Sequence, residues 1–589
     1  MHINTPMASH HPKKYPKTIF SRLHIPILLC FCTQFATAND AETALQTVRS
    51  WVNNGMAVTE EKSTTPENIS GICVVLRKNG NLLGYGEAFG ENKSLLVEAA
   101  TIAFAKAKKN PIIRKLPENI QTFAFSSIGI EVGIATEYTP IPTKNLDKAA
   151  KQIRRGVDGI ATRRGKIWDF RFPSHMRLSP FRRTVNHLEG MCIKVGAPAA
   201  EVIAHQLPTQ EDITIYTVHF VSAYQHARNE PIHMLYRGDE LITLHHLQQT
   251  GLQRVAELLA WHVINSVWPL EDPVGITGTY LPEFDRLDVV FAPTISQTMA
   301  AEALWKYAQL PSCAHKEDAI VAYVRIMNDL AVVNEHESPI TGVAEQSFVV
   351  LASTGESLLS KEAVSIIHNC KEEIIAAAKE MTSGTLVPNK IFDRGILSAA
   401  IAALAKQDRS LLPLAEKSVH VTFATTPQQH RASLIPWIIR ASVTVADLGG
   451  TVDVASIQEL RDISLSSQVI GDSIPDLLGG FSLQTKSGAV TDARGIRMLP
   501  MLAYLLPVET FTPRAERSAA LMSMLLAARF TTQLTTTQER AGRFANPTKA
   551  TGGVRSSVWD ATMKPEATAM ALIGITEAIQ AMNRVAQGQ

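Results

Sequence analysis

The chain has 589 residues, which is more than one ordinary domain holds and predicts two or three domains. Hydrophobic residues make up 45% of the chain, enough for large cores, yet no apolar run reaches the roughly 18 residues needed to span a bilayer. The formal net charge is +2, and four of the basic residues belong to the N-terminal segment.

That N-terminal segment has the pattern of a secretory leader. Four basic side chains precede the apolar run 25–32, and the small residues Ala36 and Ala38 follow it. We expect cleavage after Ala38, so that residues 1–38 are lost and the mature protein is secreted or periplasmic. The alternative is a disordered basic tail beside a buried strand. No membrane span is expected in the mature chain.

Export leaves four cysteines, Cys73 and Cys192 in the first domain and Cys313 and Cys370 in the second. An oxidising compartment permits one disulfide in each domain, and ordinary buried thiols are the alternative. The chain has no Cys-x-x-Cys and no His-Glu-x-x-His pattern, so no metal site is expected. No P-loop and no Gly-x-Ser-x-Gly elbow is present either, and no cofactor is predicted.

Residues 39–225 are predicted to form an α+β domain. Two β-rich runs flank Asn79-Gly80, a strong hairpin signal. Apolar periodicity and turn residues then predict further elements in chain order: a helix over 94–109, a strand over 128–135, a turn at 156–159 that leads into the segment 160–170, a helix over 184–194 and a strand over 213–221.

The order of short motifs in this region resembles that of the AMMECR1 family domain over about residues 45–222. The corresponding segments are 78–80, 82–86, 99–107, 131–132, 156–159 and 194–196. The resemblance implies an α+β fold and a groove. Leu83 and Tyr85 stand where the family has an Arg and a Cys, so no chemistry of those two residues is carried over.

A basic segment runs from Lys151 to Arg183, with ten basic and two acidic side chains interleaved with Trp168, Phe170 and Phe172. Arg binds carboxylates and phosphates through two parallel hydrogen bonds, so this segment could bind an acidic polymer or glycan. The candidate anion-binding residues are Arg154, Arg155, Arg163, Arg164, Arg171, Arg182 and Arg183. Nucleic acid is not expected outside the cytoplasm.

A solvated or interdomain surface is the alternative interpretation of this basic segment. Residues 39–225 hold 23 basic and 18 acidic side chains, whereas residues 226–589 hold 30 and 37. The opposite net charges predict that the basic first domain contacts the acidic second domain.

Residues 226–589 are predicted to be helical. A Gly pair, an Asp and an apolar helix recur at 447–450, 479–504 and 552–572, and such recurrence indicates stacked helical hairpins. Candidate helices cover 245–267, 298–308, 316–330, 362–379, 394–405, 433–446, 495–505, 514–531 and 565–582. About six hairpins closed into a ring would form an α/α toroid.

The Gly-Gly phrases resemble the inner-helix entrances of terpenoid-cyclase and prenyltransferase toroids, and the plan resembles that of six-hairpin glycosidases. A glycosidase needs two carboxylates about 5 to 9.5 Å apart. Inner-helix entrances could supply them from Asp285, Asp492, Asp560 and Glu566. A lyase would instead use a Tyr or His base, for which Tyr280, His245 and His246 are available, with Arg555 neutralising a uronate. The alternative is that Asp492 and Asp560 cap helices.

No motif identifies a reaction. The first hypothesis is a ligand-binding or scaffolding protein that holds an acidic or peptide-like ligand on its Arg-rich surface or on the concave face of the toroid. The second is an α/α-toroid enzyme, a glycoside hydrolase or polysaccharide lyase acting on an extracellular glycan. Aromatic residues, at 6% of the chain, are few for a sugar-stacking cleft.

Overall fold

The computed structural model describes residues 27–59, 69–90, 94–117, 120, 124–178, 183–207, 212–247, 249–336, 339–385, 387–471, 474–485 and 488–587. Among these residues, no helix combines the length and the apolar character that a bilayer crossing requires. Residues 1–26, most of the predicted leader, lie outside the described ranges.

A seven-stranded antiparallel sheet forms the centre of the first domain. Its strands are β1 (Gly71–Lys78), β2 (Asn81–Phe89), β3 (Gly129–Ile141), β4 (Gly159–Arg164), β5 (Ile167–Arg171), β6 (Ile213–Gln225) and β7 (His233–Leu235). The spatial order is β2-β1-β3-β6-β4-β5, and β7 pairs with the end of β6. The sheet therefore extends past residue 225, the predicted end of this domain.

The predicted hairpin at Asn79-Gly80 is confirmed. Asn79 and Gly80 have φ values of 46° and 75°, the left-handed pair that a two-residue turn requires, and Lys78 pairs with Asn81. The segment 160–170, which follows the predicted turn at 156–159, forms a second hairpin from β4 and β5. Gly165, at φ 58°, reverses the chain between them.

Among the described residues of the first domain, the helices with both ends defined are α1 (Ile27–Asn53), α2 (Leu95–Lys109), α3 (Pro111–Arg114), α4 (Leu146–Gln152), α5 (Pro173–Leu178), α6 (Thr184–Lys194) and α7 (Ala199–Ile203). The predicted helix over 184–194 is confirmed to the residue. Helix α1 packs on β3 and β6 through Leu45, Val48 and Trp51, which are buried. Residues that follow the predicted cleavage point thus belong to the domain core.

The described part of the second domain contains twelve helices of eight or more residues, arranged in six consecutive pairs. The outer helices are α8 (Gln249–Asn265), α10 (Lys316–His336), α12 (Lys361–Ser383), α14 (Leu412–Thr425), α16 (Val454–Ser466) and α18 (Arg517–Leu534). The inner helices are α9 (Thr294–Ala308), α11 (Val343–Ala352), α13 (Ile391–Gln407), α15 (Trp437–Asp447), α17 (Met498–Leu505) and α21 (Pro565–Ala586). Short helices α19 (Gln538–Ala541) and α20 (Pro547–Ala550) and the strand pairs β8–β9 (Tyr280–Leu281, Arg286–Leu287) and β10–β11 (Ser482–Thr485, Gly488–Thr491) lie in the connections.

The six inner helices form a closed ring. Each packs on the next, in the order α9, α11, α13, α15, α17 and α21, and α21 packs on α9. These helices are apolar nearly all round, as a helix with neighbours on every side must be, and all eight residues of α17 are buried. The second domain is thus an α/α toroid of six hairpins, the number that the sequence predicts.

Recurring glycines set the entrances of two inner helices. Gly479 and Gly552 have φ values of 84° and 81°, a conformation that side chains rarely adopt. A Cβ at Gly479 would lie 1.8 Å from the Leu526 carbonyl of α18, and one at Gly552 would lie 1.9 Å from the Leu258 carbonyl of α8. The Gly-Gly repeat therefore reflects close packing of a tight corner on an outer helix.

The four described cysteines are free thiols, the alternative to a disulfide in each domain that the sequence left open. Burial raises the pKa of Cys73, that of Cys192 to about 12 and that of Cys370 to about 11. Cys313 is half-buried.

We therefore expect slow labelling of the native protein by a thiol reagent at pH 8, with Cys313 reacting first, because the thiolate is the reactive form. Mass spectrometry of labelled peptides would measure the order in which the cysteines react. In denaturant without reductant, all four thiols should react; two missing thiols would contradict the structure by indicating a disulfide.

Candidate functional site: the pocket between the domains

The first domain covers the face of the ring at which the inner helices begin. The tip of the β1–β2 hairpin touches the toroid, where Gly80 lies against the backbone of Phe544. The segments 283–286 and 558–561, which precede α9 and α21, face the first domain across a shared pocket. A ligand in this pocket would contact both domains.

A buried ionic cluster joins the domains beside the pocket. The chain between them turns tightly at Arg237 and Gly238 (φ 53° and 75°), which brings Asp239 into the toroid. Asp239 is 4% exposed and accepts hydrogen bonds from Arg540 and Arg543, and it forms an ion pair of 2.5 Å with Arg555. Burial alone would raise the pKa of Asp239, but the three guanidinium groups outweigh burial and hold it well below its ordinary value.

The pocket has a volume of about 700 Å³ and a cationic lining. Both domains contribute its charged residues. Three carboxylates line it, those of Glu131, Glu283 and Asp560, against seven arginines: Arg77, Arg155, Arg177, Arg237, Arg286, Arg543 and Arg555. Four of these arginines have carboxylate partners: Arg177 pairs with Glu131, Arg237 with Asp476, and Arg543 and Arg555 with Asp239. Guanidinium groups still outnumber carboxylates when Asp239 and Asp476 are included, so the pocket is electropositive.

The floor of the pocket is built on the sheet of the first domain. Arg177 of α5 donates to Glu131 of β3 at 2.6 Å, and Ser174 donates to the same oxygen at 2.7 Å. Arg77 Nε and Arg177 Nη1 are buried and have no hydrogen-bond partner among the described residues. Burial lowers the pKa of Arg77, and the nearby charge of Arg177 adds to this effect. The floor thus holds hydrogen-bond donors that a bound anion would satisfy.

The rim of the pocket carries exposed cations and aromatic rings. Arg155 comes from the first domain and Arg286 from the toroid, and both are exposed. Arg286 lies over the ring of Phe284 at 5.5 Å, and Arg237 lies over Trp559 at 5.7 Å. Trp559 is 37% exposed. Flat rings beside guanidinium groups suit a ligand with both ring faces and negative charges.

The predicted catalytic residues do not meet at one point. Asp560 lines the pocket and accepts from the Thr562 backbone at 3.1 Å. Asp285 accepts from Tyr280 at 3.0 Å, which brings these two predicted residues together outside the pocket lining. Glu566 accepts from Ser296 at 3.2 Å.

Asp492 has the capping role that the sequence analysis kept as an alternative. Its side chain accepts from the backbone of Arg494 at 3.0 Å and caps the short helical turn 493–497. The Arg494 guanidinium also pairs with it at 2.7 Å. Asp560 caps a turn before α21 and not the helix itself.

The predicted anion-binding arginines are dispersed. Arg155 lines the pocket, whereas Arg154 pairs with Asp158 at 2.7 Å and Arg171 with Asp169 at 3.2 Å. Arg163 lies over Trp168 at 5.0 Å, and Arg164 donates to the Gly196 carbonyl. Arg183 precedes α6 and is exposed, and Arg182 lies outside the described residues.

Sequence reasoning missed most of the pocket. Arg177 belongs to the predicted basic segment, and Arg555 was a candidate for lyase chemistry. No sequence motif indicated a role for the other four lining arginines, Arg77, Arg237, Arg286 and Arg543. They lie far apart in the chain, and only the docking of the hairpin tip on the ring brings them together. Within the described ranges, no group of three or more His, Cys, Asp or Glu side chains is arranged to hold a metal ion.

No family model matches the chain, and the search of curated proteins returned no match. Among solved structures, an α-1,6-mannanase of Salegentibacter sp. is 12% identical and covers 56% of this chain and 99% of its own, with a TM-score of 0.40. An unsaturated glucuronyl hydrolase specific for heparin is 10% identical and covers 58% and 99%, also at 0.40.

A third similar structure is an uncharacterized protein from Pyrococcus horikoshii, which is 18% identical and covers 34% of this chain and 96% of its own, with a TM-score of 0.25. The closed ring described above rests on the helix contacts of this chain and is independent of these similarities.

Proposed function

We propose that the protein recognises an acidic oligosaccharide in the pocket between its two domains. The main support is the lining of seven arginines, which outnumber the carboxylates in and around the pocket, with unpartnered guanidinium nitrogens at the floor and exposed aromatic rings at the rim. In this proposal the first domain is an AMMECR1-like module, supported by the order of its motifs. The mature protein is exported after loss of residues 1–38.

Charge and shape support a sugar acid over a simple ion. A pocket of about 700 Å³ is within the range of roughly 300 to 1,000 Å³ that small-molecule sites occupy. Guanidinium groups bind carboxylates and sulfates through paired hydrogen bonds. Trp559 and Phe284 offer flat apolar faces that match the faces of a sugar ring. An oligosaccharide in which sugar-ring faces alternate with acid groups matches this combination of aromatic rings and arginines.

The binding test uses one rim arginine from each domain. We expect Arg155→Gln and Arg286→Gln each to weaken binding of a heparin-derived or galacturonate oligosaccharide roughly threefold to tenfold, since each removes a charged hydrogen-bond donor. Calorimetry at low and moderate salt would measure the affinity, which should fall as salt rises. A neutral maltose oligosaccharide should bind more weakly than either acid.

Arg163→Gln is the matched control, because Arg163 is also exposed but lies on the β4–β5 hairpin over Trp168. It should leave the affinity unchanged. Loss of binding in Arg163→Gln with retention in Arg155→Gln and Arg286→Gln would move the anion site to the β4–β5 surface. Absence of saturable binding to any acidic oligosaccharide would contradict the proposal.

A second candidate function is cleavage of the bound glycan. It is favoured by two toroid carboxylates, Glu283 and Asp560, that line the pocket with Trp559. Glycoside hydrolysis uses two carboxyl groups on either side of the scissile bond. Incubation with the same oligosaccharides should then release reducing ends, and Glu283→Gln and Asp560→Asn should each abolish release while binding persists. If the wild-type protein binds these oligosaccharides but releases no reducing ends, its function would be recognition without cleavage.

A further inference from the structure

A second cavity opens at the other end of the toroid. Its volume is about 360 Å³, and it is lined by residues near the C-terminal ends of inner helices, among them Trp305 and Lys306 of α9, Lys406 of α13 and Gln580 of α21. The interdomain pocket lies instead where the inner helices begin. The toroid therefore has a separate cavity at each of its two faces.

Ion pairs fix the inner wall of this cavity. Arg440 of α15 pairs with Glu302 of α9, and Lys306 pairs with Glu577 of α21 at 2.5 Å. Tyr504 of α17 also donates to Glu577, at 3.4 Å. These contacts link four of the six inner helices, so the positions of the charged groups are set by the ring itself.

One carboxylate oxygen in this wall is left for a ligand. Glu302 is 2% exposed, and its Oε1 accepts from Arg440. Its Oε2 is buried and has no hydrogen-bond partner among the described residues. An unpartnered buried oxygen costs free energy unless a donor reaches it. A ligand hydroxyl in the cavity would supply that donor.

The opening of the cavity is cationic and rich in amides. Lys406 is exposed there and forms no ion pair with any residue of the described ranges. Burial of part of its side chain and the charges of Arg440 and Lys306 lower the pKa of Lys406. The side chains of Gln309, Gln407 and Gln580 line the same space. The opening thus offers a positive charge and several hydrogen-bond donors and acceptors.

Trp305 gives the cavity a fixed aromatic wall. Its ring lies 5.1 Å from that of Tyr323, and a Cβ at Gly355 would come within 2.7 Å of it. The absence of a side chain at residue 355 therefore lets the indole pack in this position. A held, half-buried indole is a flat face against which a ring-shaped ligand can lie.

We propose that this cavity binds a sugar acid of one residue, with its carboxylate at Lys406, a hydroxyl on Glu302 Oε2 and its ring face on Trp305. Its volume is near the lower end of the range of small-molecule sites, which suits a monosaccharide better than a chain. This inference does not depend on what occupies the interdomain pocket.

The test compares D-glucuronate, D-galacturonate and D-glucose by calorimetry on the full-length protein. We expect the two acids to bind and glucose to bind more weakly, because glucose lacks the charge that Lys406 attracts. Lys406→Gln should weaken acid binding roughly tenfold, the usual effect of losing one charged hydrogen bond. Lys406 is exposed, so this variant is expected to fold normally.

Lys379→Gln, an exposed lysine on outer helix α12, is the matched control and should bind as the wild type does. Arg286→Gln, at the interdomain pocket, should also leave monosaccharide binding unchanged. Absence of binding by both acids would overturn the inference, as would equal affinities in Lys406→Gln and wild type. Loss of binding in Arg286→Gln would assign the monosaccharide to the other pocket.

Discussion

Replacing Asp239 with alanine is expected to lower the free energy of unfolding by about 3 to 5 kcal/mol. Arg540, Arg543 and Arg555 converge on this carboxylate, and Arg540 and Arg555 are themselves buried. Removal of the carboxylate would leave three guanidinium groups facing one another without a counter-ion. Breaking a buried ion pair by removing one partner is costly for this reason. Urea unfolding would measure the change.

Glu509→Ala is the control for this experiment. Glu509 pairs with Arg514 at 3.4 Å, but both side chains are largely exposed, and such pairs contribute at most about 1 kcal/mol. If Asp239→Ala were no more destabilising than Glu509→Ala, the ionic cluster would not hold the domains together.

The same carboxylate predicts a loss of stability in acid. The pKa of Asp239 in the folded protein lies well below its ordinary value of 3.8, so the unfolded chain takes up the proton first. The contribution of Asp239 is therefore complete at pH values above 3.8 and declines as the pH falls further. In Asp239→Ala this part of the acid dependence should disappear.

Gly80→Ala is expected to destabilise the protein by about 3 kcal/mol or more and to abolish binding in the interdomain pocket. A Cβ at this position would lie 1.1 Å from the Phe544 carbonyl oxygen and 2.0 Å from its carbon. Backbone of the toroid cannot move aside as a flexible side chain can, so the hairpin tip must withdraw. Overpacking costs about 1 to 3 kcal/mol, and the left-handed conformation adds about 1 to 2.

Gly55→Ala separates these two causes. Gly55 has nearly the same φ, 78°, but no atom lies within 4 Å of its Cβ position. The Gly55→Ala variant should lose only the stability that the left-handed backbone conformation costs a residue with a side chain. Equal denaturation midpoints for Gly80→Ala and Gly55→Ala would contradict the contact between the hairpin and Phe544.

The sequence predicts a toroid but identifies only nine of the twelve helices that form its hairpins. The nine predicted helices all correspond to observed ones, because each shows helical periodicity or a glycine-marked entrance. Three others were missed: α11, α14 and α16. Helix α11 reads Phe348-Val-Val-Leu-Ala352 at its end and is buried on all sides, so it shows no periodicity. In α14, the alternation in Val419-His-Val-Thr-Phe423 is typical of a strand and conceals the helix.

The candidate site is harder to predict because it depends on docking. The sequence places Arg155 and Asp560 among functional candidates, and both line the pocket. Their partners Arg77 and Arg543 are separated by more than four hundred residues and meet only because the Gly80 turn reaches Phe544. Local sequence pattern carries no information about such a contact. It does predict the cap at Asp492, the corner at Gly552 and the hairpin at Asn79, which the structure contains, although Asp560 does not cap α21.

Hydrogen–deuterium exchange with and without an acidic oligosaccharide tests the central claim most directly. If the ligand lies between the domains, backbone amides of residues 78–82 in the first domain and 555–561 in the toroid should both exchange more slowly when it is bound. Slower exchange in only one of these segments, or only in the β4–β5 hairpin, would contradict a site shared by the two domains.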